Sequence, residues 1–204
     1  MKKLLFAAVA VFGFGVANAQ DVKFGAKAAL NFATLSGDIE ETDGLTGFAV
    51  GAFVNVPINE KFSFQPELLY SRQGTGTTDT ETIGGTTIKF DGTLNLDYLN
   101  VPLMFRFEAV KGFSLEAGPQ VGFLLAANSK FTATANNRSE TQEVDVKDEY
   151  KSIDFGFNFG AGYDLTKNIN AGIRYNLGLM NIAKDSEDFT VRNSVFSLAV
   201  GYRF

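Results

Sequence analysis

The side chains of this sequence that could do chemistry are acids and bases set at alternate positions within largely apolar segments. The set comprises Lys27, Glu67, Arg106, Glu116, Asp154, Arg174 and Arg203, with Lys23 and Asp164 on the same side of their segments. Enclosed charges must pair with one another or hold water, because an isolated buried charge costs several kcal/mol. We therefore expect one charge network, which is either a structural polar plug or a selective ion path.

Histidine is the side chain most often used as a general base, and this sequence has no histidine. A general base or activated nucleophile would have to come from another residue type. The glycine-rich stretch 156–162 (GFNFGAG) has no helix predicted after it, so it does not fit a nucleotide-binding loop. We predict that the protein is not an enzyme and binds no cofactor.

One polar stretch, 36–44 (SGDIEETDG), is rich in carboxylates and has no basic residue. The carboxylates are those of Asp38, Glu40, Glu41 and Asp43. They could bind a divalent cation, although they lack the ligand spacing of an EF-hand. A solvated acidic loop explains the same composition, and we predict no metal site.

The charged residues fall within eight segments in which apolar residues occupy every second position. In 22–35, for example, Phe24, Leu30 and Phe32 share one face, and Lys23 and Lys27 share the other. A period of two over this length predicts a β-strand with one apolar and one polar face. The other segments are 46–58, 62–73, 96–107, 113–128, 152–165, 169–179 and 193–204.

The connections between these segments alternate in length. Three are tight turns, at 59–61, 109–112 and 166–168, and four are long and polar, at 36–45, 74–93, 129–151 and 180–192. This layout is typical of outer-membrane barrels with both termini in the periplasm. A soluble lipocalin-like barrel would turn its apolar face inward, but the polar faces here carry too many charges for a dry cavity. We predict an all-β fold, an eight-stranded antiparallel up-and-down transmembrane β-barrel.

The first 19 residues have the features of a secretory signal peptide. Two lysines precede an apolar run at 4–16, and Ala17 and Ala19 form a small-x-small cleavage site. The run is shorter than the roughly 20 residues of a membrane-spanning helix. Without cysteine, a lipoprotein anchor is excluded. We therefore expect the barrel domain to comprise 20–204 and to reside in the bacterial outer membrane.

The last predicted strand keeps its alternation up to Phe204. It must pair with the first strand, because an open edge in hydrocarbon leaves backbone polar groups unpaired. Together with DVKFGAKAALNFATLSGD (21–38) and YLNVPLMFRF (98–107), this strand resembles the porin-family, PorT-like outer-membrane proteins of Bacteroidetes, which share their architecture with OmpX and the OmpA barrel. The resemblance implies that Leu198, Tyr202 and Phe204 form a signal read by the outer-membrane assembly machinery.

Two functions are compatible with these observations. The first is a structural or small-solute role of a porin-family barrel with a largely plugged polar lumen, since eight strands leave an interior just wide enough for side chains. The alternative is a cell-surface adhesin or secretion-accessory protein. It follows from 77–93 and 130–146, which are predicted hairpins around Gly84–Gly85 and Asn136–Asn137 and would offer strand edges to other proteins.

The expected partners follow from the same two functions. They are outer-membrane lipid, the assembly machinery and an extracellular protein bound through 74–93 and 129–151. Without Lys2 and Lys3 the chain has 16 basic and 23 acidic residues, a net charge of −7. Such a chain repels phosphate backbones, so we expect no nucleic acid partner, and we expect a monomer.

Overall fold

The computed structural model describes residues 22–38, 43–136, 138–184 and 189–204. The predicted signal peptide with Ala17 and Ala19 lies outside these residues, as do Glu40 and Glu41. The described strands are β1 (Lys23–Gly37), β2 (Asp43–Pro57), β3 (Phe62–Ile83), β4 (Thr86–Val110), β5 (Phe113–Ala135), β6 (Arg138–Asp145), β7 (Ile153–Asp164), β8 (Ile169–Gly178) and β9 (Val191–Arg203). A short 3₁₀ helix covers Lys147–Glu149.

Eight of these strands form a closed antiparallel ring in the order β1, β2, β3, β4, β5, β7, β8 and β9. The ring closes where β9 pairs with β1, with Leu198 opposite Leu30 and Tyr202 opposite Ala26. Closure leaves the barrel without an edge, as the hydrocarbon of a membrane requires. The predicted all-β, eight-stranded antiparallel barrel is confirmed.

The two hairpins predicted at 77–93 and 130–146 are confirmed, because β3 pairs with β4 around Gly84 and Gly85 and β5 pairs with β6 around Asn136. β3, β4 and β5 thus continue beyond the eight predicted segments, through most of 74–93 and 129–151. Among the described residues, the additional strand β6 pairs only with β5. Residues 74–83, 86–97, 126–135 and 138–145 thus form a four-stranded sheet, here called the extension, that rises from one side of the barrel. In β4 and β5 the period-two alternation continues, with Phe90, Leu94 and Phe131 now on the inward face, whereas 74–83 and 138–145 are mainly polar.

The point at which the apolar side chains change from the outward to the inward face marks the outer boundary of the membrane. On β4 the outward side chains are apolar from Phe107 to Leu99 and polar from Asp97 onward. Residues 99–107 give a span of nine residues, which suits a tilted strand crossing the hydrocarbon. At the boundary Arg72 on β3 makes a bidentate ion pair with Asp97, with N–O distances of 2.8 and 2.9 Å.

Tight turns join the strands at the opposite end of the barrel. Between β2 and β3, the Asn59 side-chain oxygen accepts hydrogen bonds from the backbone N–H groups of Lys61 and Phe62, both at 2.9 Å. Thr166 stabilises the turn between β7 and β8 in the same way, because its hydroxyl accepts a hydrogen bond from the Ile169 N–H at 2.9 Å. Gly112, with a φ of 83°, makes the turn between β4 and β5. In the described part of the chain, no helix is long and apolar enough to cross a membrane.

Candidate functional site: the closed lumen and the extracellular sheet

The centre of the lumen contains four charged side chains joined by ion pairs. Glu67 accepts from Lys27 Nζ at 2.5 Å and from both terminal nitrogens of Arg174, at 2.8 and 3.0 Å. Arg174 also donates to Glu116 Oε2 at 2.8 Å. Lys27 and Glu67 are both buried, and the Lys27 ammonium lies 5.6 Å from the centre of the Phe53 ring. The inward positions on four different strands therefore meet at one level.

Further charges continue the chain of ion pairs toward the periplasmic end. Arg106 Nε lies 3.0 Å from Glu116 Oε1, and Arg106 Nη2 lies 3.9 Å from Asp164 Oδ1. Asp164 in turn pairs with Arg203. Arg106 also donates to Gln65 and Ser114 through its two terminal nitrogens, whereas its Nε has no hydrogen-bond partner among the described residues. The structure thus connects six of the seven predicted network residues, and the sixth, Arg203, is connected by way of Asp164. Lys23, by contrast, is exposed at the periplasmic mouth.

Asp154 does not belong to this network, contrary to the sequence-based expectation. It lies near the extracellular end of β7, opposite Gly122, whereas the Glu116 level is opposite Gly160. Only 4% of Asp154 is exposed, and within the described residues no cation pairs with it. Asn193 donates to its Oδ2 at 2.8 Å, while Asp154 Oδ1 and Asn193 Oδ1 have no hydrogen-bond partner. Asp154 lies outside the network because it is too far from the other charges along the barrel axis. Alternation along a strand shows which side chains face inward, but it does not show their height in the barrel.

Between the ion pairs and Asp154 lies a layer of neutral polar side chains. Asn158 donates to Gln120 at 3.2 Å and accepts from Asn176 at 3.1 Å, and Asn31 bonds Ser71 and Ser197. A cavity of about 40 Å³ remains among these side chains. A volume of this size admits roughly one to three water molecules. The layer therefore has room for ordered water but not for a solute.

The extracellular end of the lumen is closed by apolar side chains. Leu96, Tyr98 and Ile182 are fully buried there, and the cluster, here called the cap, also includes Leu35, Leu124, Ala127 and Val191. Ile182 comes from the connection between β8 and β9, and its backbone N–H donates to Val191 O at 2.8 Å. The Tyr98 hydroxyl accepts from Asn193 at 3.3 Å. A dry apolar layer thus separates the polar lumen from the cell exterior.

Sequence reasoning missed the cap, although part of its signal was present. Leu96 and Tyr98 are an even number of positions from the inward Arg106 on β4, so the sequence alone could have predicted that they face inward. Ile182 could not have been predicted in the same way, because it lies in a predicted loop, and periodicity does not show which loop folds back into a barrel. Gln65 and Phe53 were also missed, since neither type stands out among charged candidates.

The two faces of the extension differ in chemistry. The outward face is polar and rich in threonine, with Thr132 bonded to Thr141 at 3.0 Å and Thr134 bonded to Ser139 at 2.9 Å. On the same face Lys89 lies 2.7 Å from Asp91, and this hydrogen bond lowers the pKa of the Asp91 carboxyl. The inward face continues the lumen wall. It carries apolar side chains on the two middle strands, such as Phe90 and Phe131, and charged ones on the two outer strands, such as Glu81 and Glu140. The extension therefore has an amphipathic structure outside the membrane.

Two residues of the predicted assembly signal, Leu198 and Tyr202, lie on the outer face of β9, and Phe204 follows directly after this strand. Leu198, Tyr202 and Phe204 are 43%, 49% and 76% exposed. The Tyr202 and Phe204 rings are 5.6 Å apart, and the Phe204 N–H donates to Phe24 O at 2.9 Å. All three side chains are accessible to lipid or protein, and their role in assembly stays a prediction.

Comparison with solved structures finds small outer-membrane barrels at low sequence identity. The chain is similar to Ail, the attachment invasion locus protein of Yersinia pestis, with 15% identity, a TM-score of 0.48, and coverage of 90% of this chain and 97% of that chain. It is similar to neisserial surface protein A, with 18% identity, a TM-score of 0.44, and coverage of 90% and 97%. For the N-terminal β-barrel domain of Pseudomonas aeruginosa OprF these values are 12%, 0.38, 90% and 100%.

Comparison with sequence families gives the assignment. No curated protein matches the sequence. Residues 18–184 match the family described as the outer membrane protein beta-barrel domain, and this match covers most of the chain. It does not distinguish the PorT-like proteins of Bacteroidetes from other members. The chain belongs to the outer membrane protein beta-barrel domain family, and it is a transmembrane β-barrel of the bacterial outer membrane.

Proposed function

We propose that this protein is a non-enzymatic, structural barrel of the outer membrane whose lumen is closed to ions and small solutes. One observation carries the proposal, namely that the lumen is blocked at two levels, by the ion pairs around Arg174 and by the cap. A permeating ion would have to displace paired charges and then enter a dry apolar layer. Both steps are costly in a low-dielectric interior.

Permeability to a small solute tests this function. Liposomes containing the purified barrel are diluted into isotonic arabinose, and swelling is followed by light scattering. We expect a swelling rate equal to that of empty liposomes, with a general porin as the positive control. Swelling at a porin-like rate would contradict the closed lumen and restore the small-solute function.

We infer a second function, binding of other proteins at the cell surface, as an adhesin or a secretion-accessory protein. The observation that favours it is the extension, in which β6 pairs with β5 on one side and all eight of its residues are exposed. Exposed strand edges are templates for pairing with another chain. A secretion-accessory role would agree with the resemblance to PorT-like proteins.

Adhesion of whole cells tests the second function. Cells that express the full barrel are compared with cells whose residues 78–91 and 131–142 are replaced by short turns, which shortens the extension and keeps the membrane-spanning strands. We expect the full barrel to increase attachment to serum-coated wells and the shortened barrel not to. Equal attachment at equal surface levels of the two proteins would contradict the proposal.

A further inference from the structure

The inward face of the extension carries apolar side chains where neither lipid nor lumen packing covers them. Phe90 on β4 and Phe131 on β5 stack with their ring centres 5.8 Å apart and their planes at 21°. Phe131 is 49% exposed, and Val144 on β6 is 58% exposed. These side chains lie above the membrane boundary at Asp97, so lipid does not cover them and they are exposed to water. Exposed apolar clusters of this kind mark interaction sites.

Phe90 lines a groove on this inward face, beside the free edge of β6, and Phe131 and Val144 lie on the same face closer to the membrane. The groove has a volume of about 630 Å³. We call it the inner groove, and it is lined by Ile88, Phe90, Ala133, Ala135, Arg138 and Glu140. Arg138 and Glu140 belong to β6, and their register partners Ala135 and Ala133 lie on the same face. A chain that pairs with the edge of β6 would therefore place every second side chain toward the inner groove.

The edge of β6 offers backbone hydrogen bonds over its whole length. β6 runs in register with β5 from Arg138 opposite Ala135 to Asp145 opposite Asn128. Within the described part of the chain, no other strand pairs with β6. Main-chain bonds at such an edge supply affinity, and an adjoining groove supplies selectivity among side chains.

The charges on β6 define what kind of segment fits this edge. Its outward face presents Glu143 and Asp145, and among the described residues neither forms an ion pair. Its inward face presents Arg138 and Glu140, which balance one another, and the apolar Val144. Opposite charges on directly paired strands stabilise the pair, and like charges destabilise it. The outward residues of an incoming strand should therefore be basic and its inward residues apolar.

We propose that the edge of β6 receives an extended segment of another protein, with alternating basic and apolar residues, as an additional strand of the extension. The basic side chains lie beside Glu143 and Asp145 on the outward face. The apolar side chains lie beside Val144 and reach toward the inner groove. This inference rests on the proposed surface-binding function and names the chemistry of its partner.

Peptide binding tests the inference directly. The barrel is reconstituted in zwitterionic nanodiscs and titrated into a fluorescent eight-residue peptide of alternating lysine and valine, with anisotropy as the readout. Two control peptides are used: alternating glutamate and valine, and the lysine peptide with N-methyl groups on alternate amides. We expect only the unmodified lysine peptide to bind, and we expect empty nanodiscs not to bind it.

Matched variants assign the binding to the edge of β6. Glu143→Lys should weaken binding severalfold, whereas Glu60→Lys, the same charge change in the exposed turn between β2 and β3 at the other end of the barrel, should have a much smaller effect. Phe131→Thr should also weaken binding. Heat-modifiable migration of this variant in gels will show whether its barrel is folded. Equal binding of the glutamate or N-methylated peptide, or equal effects of the two charge changes, would overturn the inference. Absence of peptide binding, with attachment of cells still dependent on the extension, would overturn this inference and leave the surface-binding function standing.

Discussion

Arg174 and Glu67 face each other across the lumen and form a bidentate ion pair, with N–O distances of 2.8 and 3.0 Å, although 107 positions separate them in the sequence. Planar guanidinium and carboxylate groups match in this geometry, which makes such pairs strong and directional. Glu67 also accepts from Lys27 and Gln65. This one carboxylate therefore binds side chains from two other strands, β1 and β8, as well as its own neighbour on β3.

Neutralising Glu67 should strongly destabilise the barrel. Glu67→Gln keeps the shape of the side chain but leaves the buried Lys27 without a carboxylate, and removing one partner of a buried ion pair costs about 3–5 kcal/mol. The free energy of unfolding, measured by urea titration in lipid vesicles, will give this difference. Glu81→Gln on the same strand is the control, and its effect should be within about 0.5 kcal/mol because it is exposed. A loss for Glu67→Gln no larger than that of the control would show that water, and not Glu67, solvates Lys27.

Neutralising Asp154, unlike neutralising Glu67, should not destabilise the barrel. Asp154→Asn removes a buried carboxylate that has no cation partner among the described residues and supplies an N–H group near the unpartnered Asn193 Oδ1. We expect unchanged or increased stability in the same urea titration, because a satisfied amide costs less to bury than an unpaired charge. A loss comparable to that of Glu67→Gln would mean that Asp154 is paired in the folded barrel.

The contrast between these two carboxylates shows what the sequence could predict. Alternation within strands assigns Glu67 and Asp154 to the same side of the barrel wall, and both do face inward. Which of them meets a cation depends on their levels along the axis, which follow from the stagger of the strands. Stagger is set by eight simultaneous pairings and by the two register shifts on β4 and β5, and no short stretch of sequence encodes it.

The cap and the extension show two further limits of periodicity. Ile182 closes the lumen from a connection that has no period, so its position depends on tertiary packing alone. In the β4 and β5 parts of the extension the alternation continues, but the apolar residues change from the outward to the inward face. A strand beyond the membrane has no lipid to cover an outward apolar face, so its pattern reverses. The sequence therefore predicts the two hairpins, but it does not predict the reversal of the apolar face on β4 and β5.

Removal of Phe204 should impair assembly in the outer membrane. The deletion removes the hydrogen bond to Phe24 O and the ring that contacts Tyr202, at the seam where β9 pairs with β1. We expect less folded protein in outer-membrane fractions, measured by heat-modifiable migration, with unfolded protein degraded or aggregated in the periplasm. Phe196→Leu, which changes an aromatic residue farther from the end of β9, is the control. Normal levels of the protein without Phe204 would contradict the proposed assembly signal.

The two ends of the barrel should differ in accessibility on intact cells. An epitope tag inserted between Gly84 and Gly85, at the tip of the β3–β4 hairpin, should bind antibody because long connections face outward and tolerate insertion. A tag at Glu60 or Lys167, in the short turns, should bind only after the outer membrane is permeabilised. Labelling at Lys167 without labelling at Gly84 would invert the topology.

Single-channel recording in a planar bilayer tests the closed lumen most directly. The wild-type barrel should show no steady current, because the ion pairs and the cap block the same path in series. Removing both barriers, with Glu67→Ala, Arg174→Ala and Ile182→Gly in one protein, should produce measurable openings if the variant still migrates as a folded barrel. Large, steady currents from the wild type, whose ion selectivity changes in Glu67→Ala while stability does not, would contradict the account and make the barrel a channel.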